Sequence, residues 1–279
     1  TVIGDVIPFS RRGRATGLVM TSFSLATVMG VPCGLLLANY AGWHSSFIAI
    51  AVVCALVGLA AVFSLPRLDK HVAQARGQNM LFAVRGVLAD ANHRRALAMS
   101  CAMMFAAFTV VPYITLYMQA NKVLLASEIP LIYLSGGVVT LLSARWVGIL
   151  TDRVGKRFMF QRMLLLSMLP LTVTTLMQTA PLALVLFVSS SLFFCMNARM
   201  IPGMALLTSA ALPQFRGTFM SLNGAVQSVS MGLATWLGGV LIQRNVQGEV
   251  THYWLCAVAA VSASLLAYVL AQRVKMHTD

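Results

Sequence analysis

Residues Gly148-Ile149-Leu150-Thr151-Asp152-Arg153-Val154-Gly155-Lys156-Arg157 decide how this chain folds. An apolar run, Leu131 to Leu150, leads into them, and a second, Phe158 to Met177, leads out. Each run has the roughly 20 mostly apolar residues that a membrane-crossing helix needs. The charged turn between them is too short to hold a domain. Gly155 offers a backbone turn that other residues adopt poorly. Asp152 lies at the end of the first run, beside the basic triad Arg153, Lys156 and Arg157. The stretch reads as a tight polar loop on one side of a membrane.

Composition agrees. Hydrophobic residues make up 59% of the 279 residues and charged residues 10%, with a mean hydropathy of +0.83. A soluble domain carries about 25% charge, so this chain cannot coat a soluble surface of its size. The net charge of +13 would point to nucleic acid in a soluble protein. Here the basic residues cluster at the ends of apolar runs, so topology explains them and no nucleic-acid partner is expected. Cys33, Cys54, Cys101, Cys195 and Cys256 all fall inside apolar runs, with no CxxC pair or disulfide framework. The histidines lack metal-ligand spacing, and no GxxxxGK[ST] loop is present. No metal, cofactor or nucleotide is expected.

Eight stretches are apolar enough to span: Ala15–Leu37, Phe47–Phe63, Leu97–Tyr117, Leu131–Leu150, Phe158–Met177, Leu182–Leu207, Thr218–Leu241 and Trp254–Val269. If the segment before Ala15 is cytoplasmic and the sides alternate, the basic residues sort themselves. The cytoplasmic side holds Arg11, Arg12, Arg14, Arg67, Lys70, Arg76, Arg85, Arg94, Arg95, Arg153, Lys156, Arg157, Arg162, Arg216, Arg273 and Lys275, and the other side only Lys122 and Arg244. That asymmetry is the positive-inside pattern, and it puts both chain ends in the cytoplasm. The fold class is all-α: a polytopic membrane bundle of about eight helices. The one long connection, residues 66–95, divides it into residues 1–65 and 96–279. Within that connection Met80-Leu81-Phe82-Ala83-Val84 and Val87-Leu88 flank Arg85. This pattern suits either a short interfacial helix or a solvated linker. An internal echo also appears: Arg12-Gly13 and Arg216-Gly217 stand at an offset that also pairs Ser24 with Ser228 and Gly34 with Gly238. Parallel repeats of this kind are frequent in secondary transporters.

Together these features resemble the major facilitator superfamily. Gly148-x-x-x-Asp152-Arg153-x-Gly155-Lys156-Arg157 is similar to its cytoplasmic loop motif, in the copy between its eighth and ninth helices. Arg12-Gly13-Arg14-Ala15-Thr16-Gly17 resembles the start of its fifth helix. Gly30-Val31-Pro32-Cys33-Gly34, then Gly42-Trp43 and Phe47, resemble the fifth-helix antiporter motif, with a Val inserted and a single later Gly. That variant resembles the sugar-efflux and arabinose-efflux-like branch, among the drug:proton-antiporter-like members. The resemblance implies that the spans are helices five to twelve of the facilitator fold. Thr1–Phe9 is then the tail of helix four, and the chain is N-terminally truncated, as its start at Thr1 rather than Met also leads one to expect.

Candidate site residues follow. Asp152 can face the positive N-terminal end of a neighbouring helix, which the pseudo-symmetry implies is the span beginning near Ala15. It would then form a cytoplasmic latch with Arg12-Gly13-Arg14; the plainer account is topology alone. Gly30, Pro32 and Gly34 thin or kink their helix, for close packing or as a hinge. Arg199, beside Asn197 and ahead of Pro202-Gly203, lies about 12 Å from its helix end at 1.5 Å per residue. A charge at that depth faces a cavity or a partner. Asn223, Gln227 and Ser230 share one helix face, suited to an aqueous path or to packing. Tyr113 and Tyr117, four apart around Pro112, form a stripe able to stack on a substrate, although an interfacial anchor explains Tyr117 as well. No span contains a carboxylate: Asp5, Asp69, Asp90, Glu128, Asp152, Glu249 and Asp279 all lie in loops or ends.

The expectation is a secondary transporter of the bacterial inner membrane, not an enzyme. It exports a small sugar or drug-like molecule by alternating access, with the bilayer as partner and protons as a possible coupling ion. The alternative is a non-transporting membrane remnant or scaffold.

Overall fold

The computed structural model describes residues 26–64 and 80–276. Most of the first expected span, with Arg12 and Gly13, lies outside the described residues. What is described of it is a π-helical turn, Ala26–Gly30, running into α1, Val31–Ala41. Gly42, at φ +80°, reverses the chain into α2, Trp43–Ser64. Two serines hold the reversal. Ser45 Oγ donates to the Gly42 and Leu37 carbonyls, and Ser46 Oγ to the Gly34 carbonyl at 2.6 Å. α2 has the highest mean hydropathy of any described span, 2.7, and 0% of its spanning window is buried. Among the described residues it packs only against α1.

After α3, Met80–Ala89, come α4, Ala91–Phe108, and α5, Ile114–Ala120. Asp90 caps α4, its Oδ1 accepting from the His93 N–H at 2.7 Å. Met80–Ala89 of the long connection is thus helical, and α4 starts six residues before the expected Leu97. The third span is also broken. Proline has no N–H and clashes with the carbonyl four residues back, and α4 ends at Phe108, four residues before Pro112. A single 3₁₀ turn, Val111–Tyr113, bridges to α5. The remaining helices are α6, Ile129–Val154; α7, Lys156–Leu176; α8, Leu182–Ala210; α9, Arg216–Leu241; and α10, Tyr253–Arg273. A small antiparallel hairpin, β1 Gln243–Arg244 with β2 Val250–Thr251, joins α9 to α10 and pairs Arg244 with Val250.

Six described helices are long and apolar enough to cross a membrane: α2, α4–α5 together, α6, α7, α8 and α10. The expected seventh span, Thr218–Leu241, is present as the full-length α9, but its Thr, Ser, Asn, Gln and Gly residues keep it out of that set. Helices α4 to α10 make one bundle. α8 packs between α6 and α7, α10 between α7 and α4, and α9 lies along α4. The hairpin of α1 and α2 reaches the bundle through the π-turn and α1, both against α6. In lipid, apolar area does not drive helices together, so close approach at small residues does. A Cβ on Gly136 would stand 2.4 Å from the Phe193 ring, which brings α6 and α8 into direct contact.

Two asparagines, Asn92 buried and Asn121 half-buried, fasten opposite ends of α4–α5 to the segments flanking α10. Asn92 Nδ2 donates to the Ala210 and Lys275 carbonyls while its Oδ1 accepts from the Lys275 N–H at 2.7 Å. Asn121 does the same to Val250, with Nδ2 to its carbonyl at 3.0 Å and Oδ1 from its N–H at 2.7 Å.

Candidate functional site

The loop quoted at the outset closes as its glycine requires. Gly155 sits at φ +101°, its N–H donating to the Thr151 carbonyl. The basic residues divide into two groups. Lys156 Nζ donates to Ser209 Oγ at 2.7 Å, and Arg157 donates to the Val274 carbonyl. They brace the start of α7 against the ends of α8 and α10. Asp152 and Arg153 point away from the bundle: both are exposed and have no side-chain hydrogen bond or ion pair among the described residues. Gly148 has open space around its missing Cβ. The other half of the expected latch, Arg12 and Gly13, lies outside the described residues.

Gly30 and Gly34 likewise have nothing within 4 Å of a built Cβ, so among the described residues close packing does not explain them. Pro32 is buried in the first turn of α1, directly after the π-turn.

Arg199 is 1% exposed. Its guanidinium donates to the Met103 carbonyl at 3.1 Å and to Ser167 Oγ at 3.3 Å, tying α8 to α4 and α7. Phe160 and the Met103 sulfur press on neighbouring Gly203, where a Cβ would meet each at 3.1 Å. Asn197, on the same helix, is half-buried.

The polar face of α9 turns toward α4. Ser230 Oγ donates to the Cys101 carbonyl at 2.7 Å, and Gln227 Nε2 to Ser100 Oγ at 2.9 Å. Asn223 is 2% exposed, and its Oδ1 has no partner. The three residues do share a face, as their spacing predicts, and that face forms the α9–α4 contact.

The opposite face of α9 is open. Gly224, Ser228, Gly232, Trp236 and Val240 recur at every fourth position and all are exposed. Where this face meets the break in α4–α5, a cleft of about 650 Å³ opens, lined by Phe108, Tyr113, Met231, Gly232, Thr235, Trp236, Gly239 and Val240. Among the described residues its walls are aromatic and aliphatic apart from Thr235 and the Tyr113 hydroxyl, with no charged residue. Tyr113 is the candidate that the cleft contains. Its hydroxyl donates to the Thr235 carbonyl, its ring lies against Gly238, where a Cβ would approach to 2.5 Å, and its hydroxyl lies beside Gly239, where a Cβ would approach to 3.0 Å. Gly238 thus makes room for the ring against α9.

Tyr117 does not continue the stripe. The 3₁₀ turn at Pro112 rotates α5, and Tyr117 is buried against Tyr253, with ring centroids 4.8 Å apart. That corrects both readings of Tyr117, as stacking residue and as interfacial anchor. Sequence reasoning also missed Phe108, Trp236, Asn92 and Asn121. The Gly-x-x-x-Ser-x-x-x-Gly-x-x-x-Trp repeat on α9 is the signal that identifies Trp236.

The Major Facilitator Superfamily profile matches residues 1–235. Among curated proteins the chain is 25% identical over 281 residues to the MFS-type transporter YbcL of Bacillus subtilis, covering 96% of this chain and 67% of YbcL. It is 24% identical over 275 residues to a chloramphenicol resistance protein of Streptomyces lividans, covering 96% and 67%. It is 25% identical over 265 residues to a Pseudomonas aeruginosa protein named transcription regulatory protein OpdE, covering 93% and 63%. The chain thus spans about two thirds of the length of these relatives. With a match over most of its length and an all-helical membrane bundle, the chain belongs to the Major Facilitator Superfamily, a family of membrane transporters and not of enzymes.

Proposed function

We propose that this chain is the part of a small-molecule exporter that corresponds to helices five to twelve, working by alternating access. The observation that carries this reading is the cleft at the break in α4–α5. A broken membrane helix exposes backbone groups that lipid cannot satisfy, so such breaks occur where a cavity or protein covers them. Here the break presents Tyr113 and Phe108 to a helix face of glycines and Trp236. The absence of charge from the walls favours a drug-like molecule of low polarity over a sugar, which asks for several hydrogen-bonding side chains at once. The chloramphenicol resistance relative supports the same choice.

Asp152 supports the alternating-access part. It is exposed beside a turn that Lys156 and Arg157 hold rigid, positioned to meet a second element when the halves close. In this reading Arg12-Gly13-Arg14 is that element, and both chain ends lie in the cytoplasm of an inner membrane. Among the described spans the one carboxylate is Asp152, at the end of α6.

Uptake of a drug and metabolite panel into everted membrane vesicles tests the reading. Transport of at least one low-polarity compound that falls when Trp236 or Tyr113 is changed to alanine supports it. Binding without any transport would favour the scaffold alternative. Asp152→Asn tests the latch separately: unchanged transport rate and unchanged accessibility of cysteines in the cavity would remove it.

A further inference from the structure

α3 has two dissimilar sides. One is docked: Val87 is buried in the core beneath α4, and Gly86 lies against the Phe215 ring, where a Cβ would stand 2.7 Å away. The other side faces away from the bundle and carries Leu81 and Phe82, each 72% exposed, and Leu88, 44% exposed. Arg85, also exposed, stands among them, four residues after Leu81 and three before Leu88. Such a face on a helix suits neither water nor the hydrocarbon interior.

The position of α3 is also fixed. Ten residues reach only about 15 Å, too short to cross a membrane. One extended residue, Asp90 at φ −75° and ψ 124°, separates it from the spanning α4. Arg94 then reaches back, its Nη1 donating to the Leu88 and Ala89 carbonyls at 2.8 and 3.0 Å. This satisfies the last turn of α3 and locks it to the start of the span. α3 is thereby held at the level where the bilayer meets water, and its exposed side has the pattern of a helix lying in that interface. The charge is one-sided: Arg85 and Arg95 are exposed without a hydrogen bond or ion pair among the described residues, while Asp90 is occupied as the cap of α4.

We propose that the outward side of α3 is a binding site for anionic phospholipid. Leu81, Phe82 and Leu88 enter the acyl boundary, and Arg85 and Arg95 meet the phosphate headgroups. The site is separate from the cleft and does not depend on what is transported.

The test uses the full chain with Cys33, Cys54 and Cys101 replaced by alanine, reconstituted in phosphatidylcholine vesicles with and without phosphatidylglycerol. An environment-sensitive NBD label is placed at Phe82→Cys or, as a second site on the same face, at Leu88→Cys. Val246→Cys, on the exposed hairpin tip, is the aqueous control. The expected result is quenching of both α3 labels by lipids brominated just below the headgroup, with iodide quenching only the control. Phosphatidylglycerol strengthens the lipid quenching, and Arg85→Gln or Arg95→Gln each weakens that dependence roughly fivefold, the factor for one basic residue at an anionic surface. Iodide quenching of the α3 labels would place the face in water. Protection from both quenchers would place it under protein, and lipid quenching equal in both lipids would leave no headgroup site. Each of these three results overturns the proposal.

Discussion

α2 and α9 are of similar length and opposite character. α2 has a mean hydropathy of 2.7 and buries none of its spanning window. α9 is too polar to qualify as a span by hydropathy, yet it bonds α4 through Gln227 and Ser230 and walls the cleft with Trp236. In a membrane the apolar residues of a helix report its solvent, because lipid is as apolar as they are. Small and polar residues report its contacts. Among the described residues the most hydrophobic span is therefore the least engaged, and a helix rich in small and polar residues walls the candidate site.

Substitutions that exchange these roles test the contrast. The largest effect is expected at Gly238, where a Cβ meets the Tyr113 ring at 2.5 Å and the Thr109 carbonyl at 3.0 Å. Because one neighbour is backbone, Gly238→Val should destabilise by about 1–3 kcal/mol, as overpacking does, and abolish transport; a thermal-shift assay and vesicle uptake read both. Next comes Asn92→Ala, which leaves the Lys275 N–H and two carbonyls without their partner. A loss of about 1–3 kcal/mol follows from stranding buried polar groups, read as a lower thermal midpoint with KM unchanged. Ser167→Ala removes one of two hydrogen-bond partners of Arg199 and should lower stability by a smaller margin, about 1 kcal/mol. KM should again stay unchanged, since Arg199 is enclosed by the bundle. A KM shift in this variant would instead place Arg199 in contact with substrate. The smallest effect is expected on α2. Val57→Leu alters a side chain that is exposed among the described residues and should stay within about 0.5 kcal/mol of the parent.

The spans were legible because the bilayer demands long apolar runs: α6, α8 and α10 contain their expected stretches, and α7 ends one residue short of its own, at Leu176. α9 was legible from a different signal, the one-sided spacing of Asn223, Gln227 and Ser230, although spacing alone did not say whether that face meets water or α4. The break at Pro112 was not foreseen, since an apolar run looks the same with or without a 3₁₀ turn inside it. Missing the break also misplaced Tyr117 beside Tyr113. The amide clamps were illegible in principle: Asn92 and Asn121 bind backbone groups 183 and 129 residues away, and a backbone partner leaves no mark on the sequence at its own position. Lys156 and Arg157 were read as loop charges, but only the fold shows that Ser209 and Val274 converge on them.

The central claim is that the cleft between the broken α4–α5 and the open face of α9 carries the transported molecule. The most direct measurement is uptake kinetics in everted vesicles for Trp236→Ala, with Val57→Leu as control and a panel-identified low-polarity compound as substrate. Trp236 is 67% exposed on the cleft wall, so its removal should leave folding intact. Loss of one aromatic contact, worth on the order of 1.4 kcal/mol, should raise KM about tenfold. Unchanged KM and kcat in a stably folded Trp236→Ala variant would contradict the account.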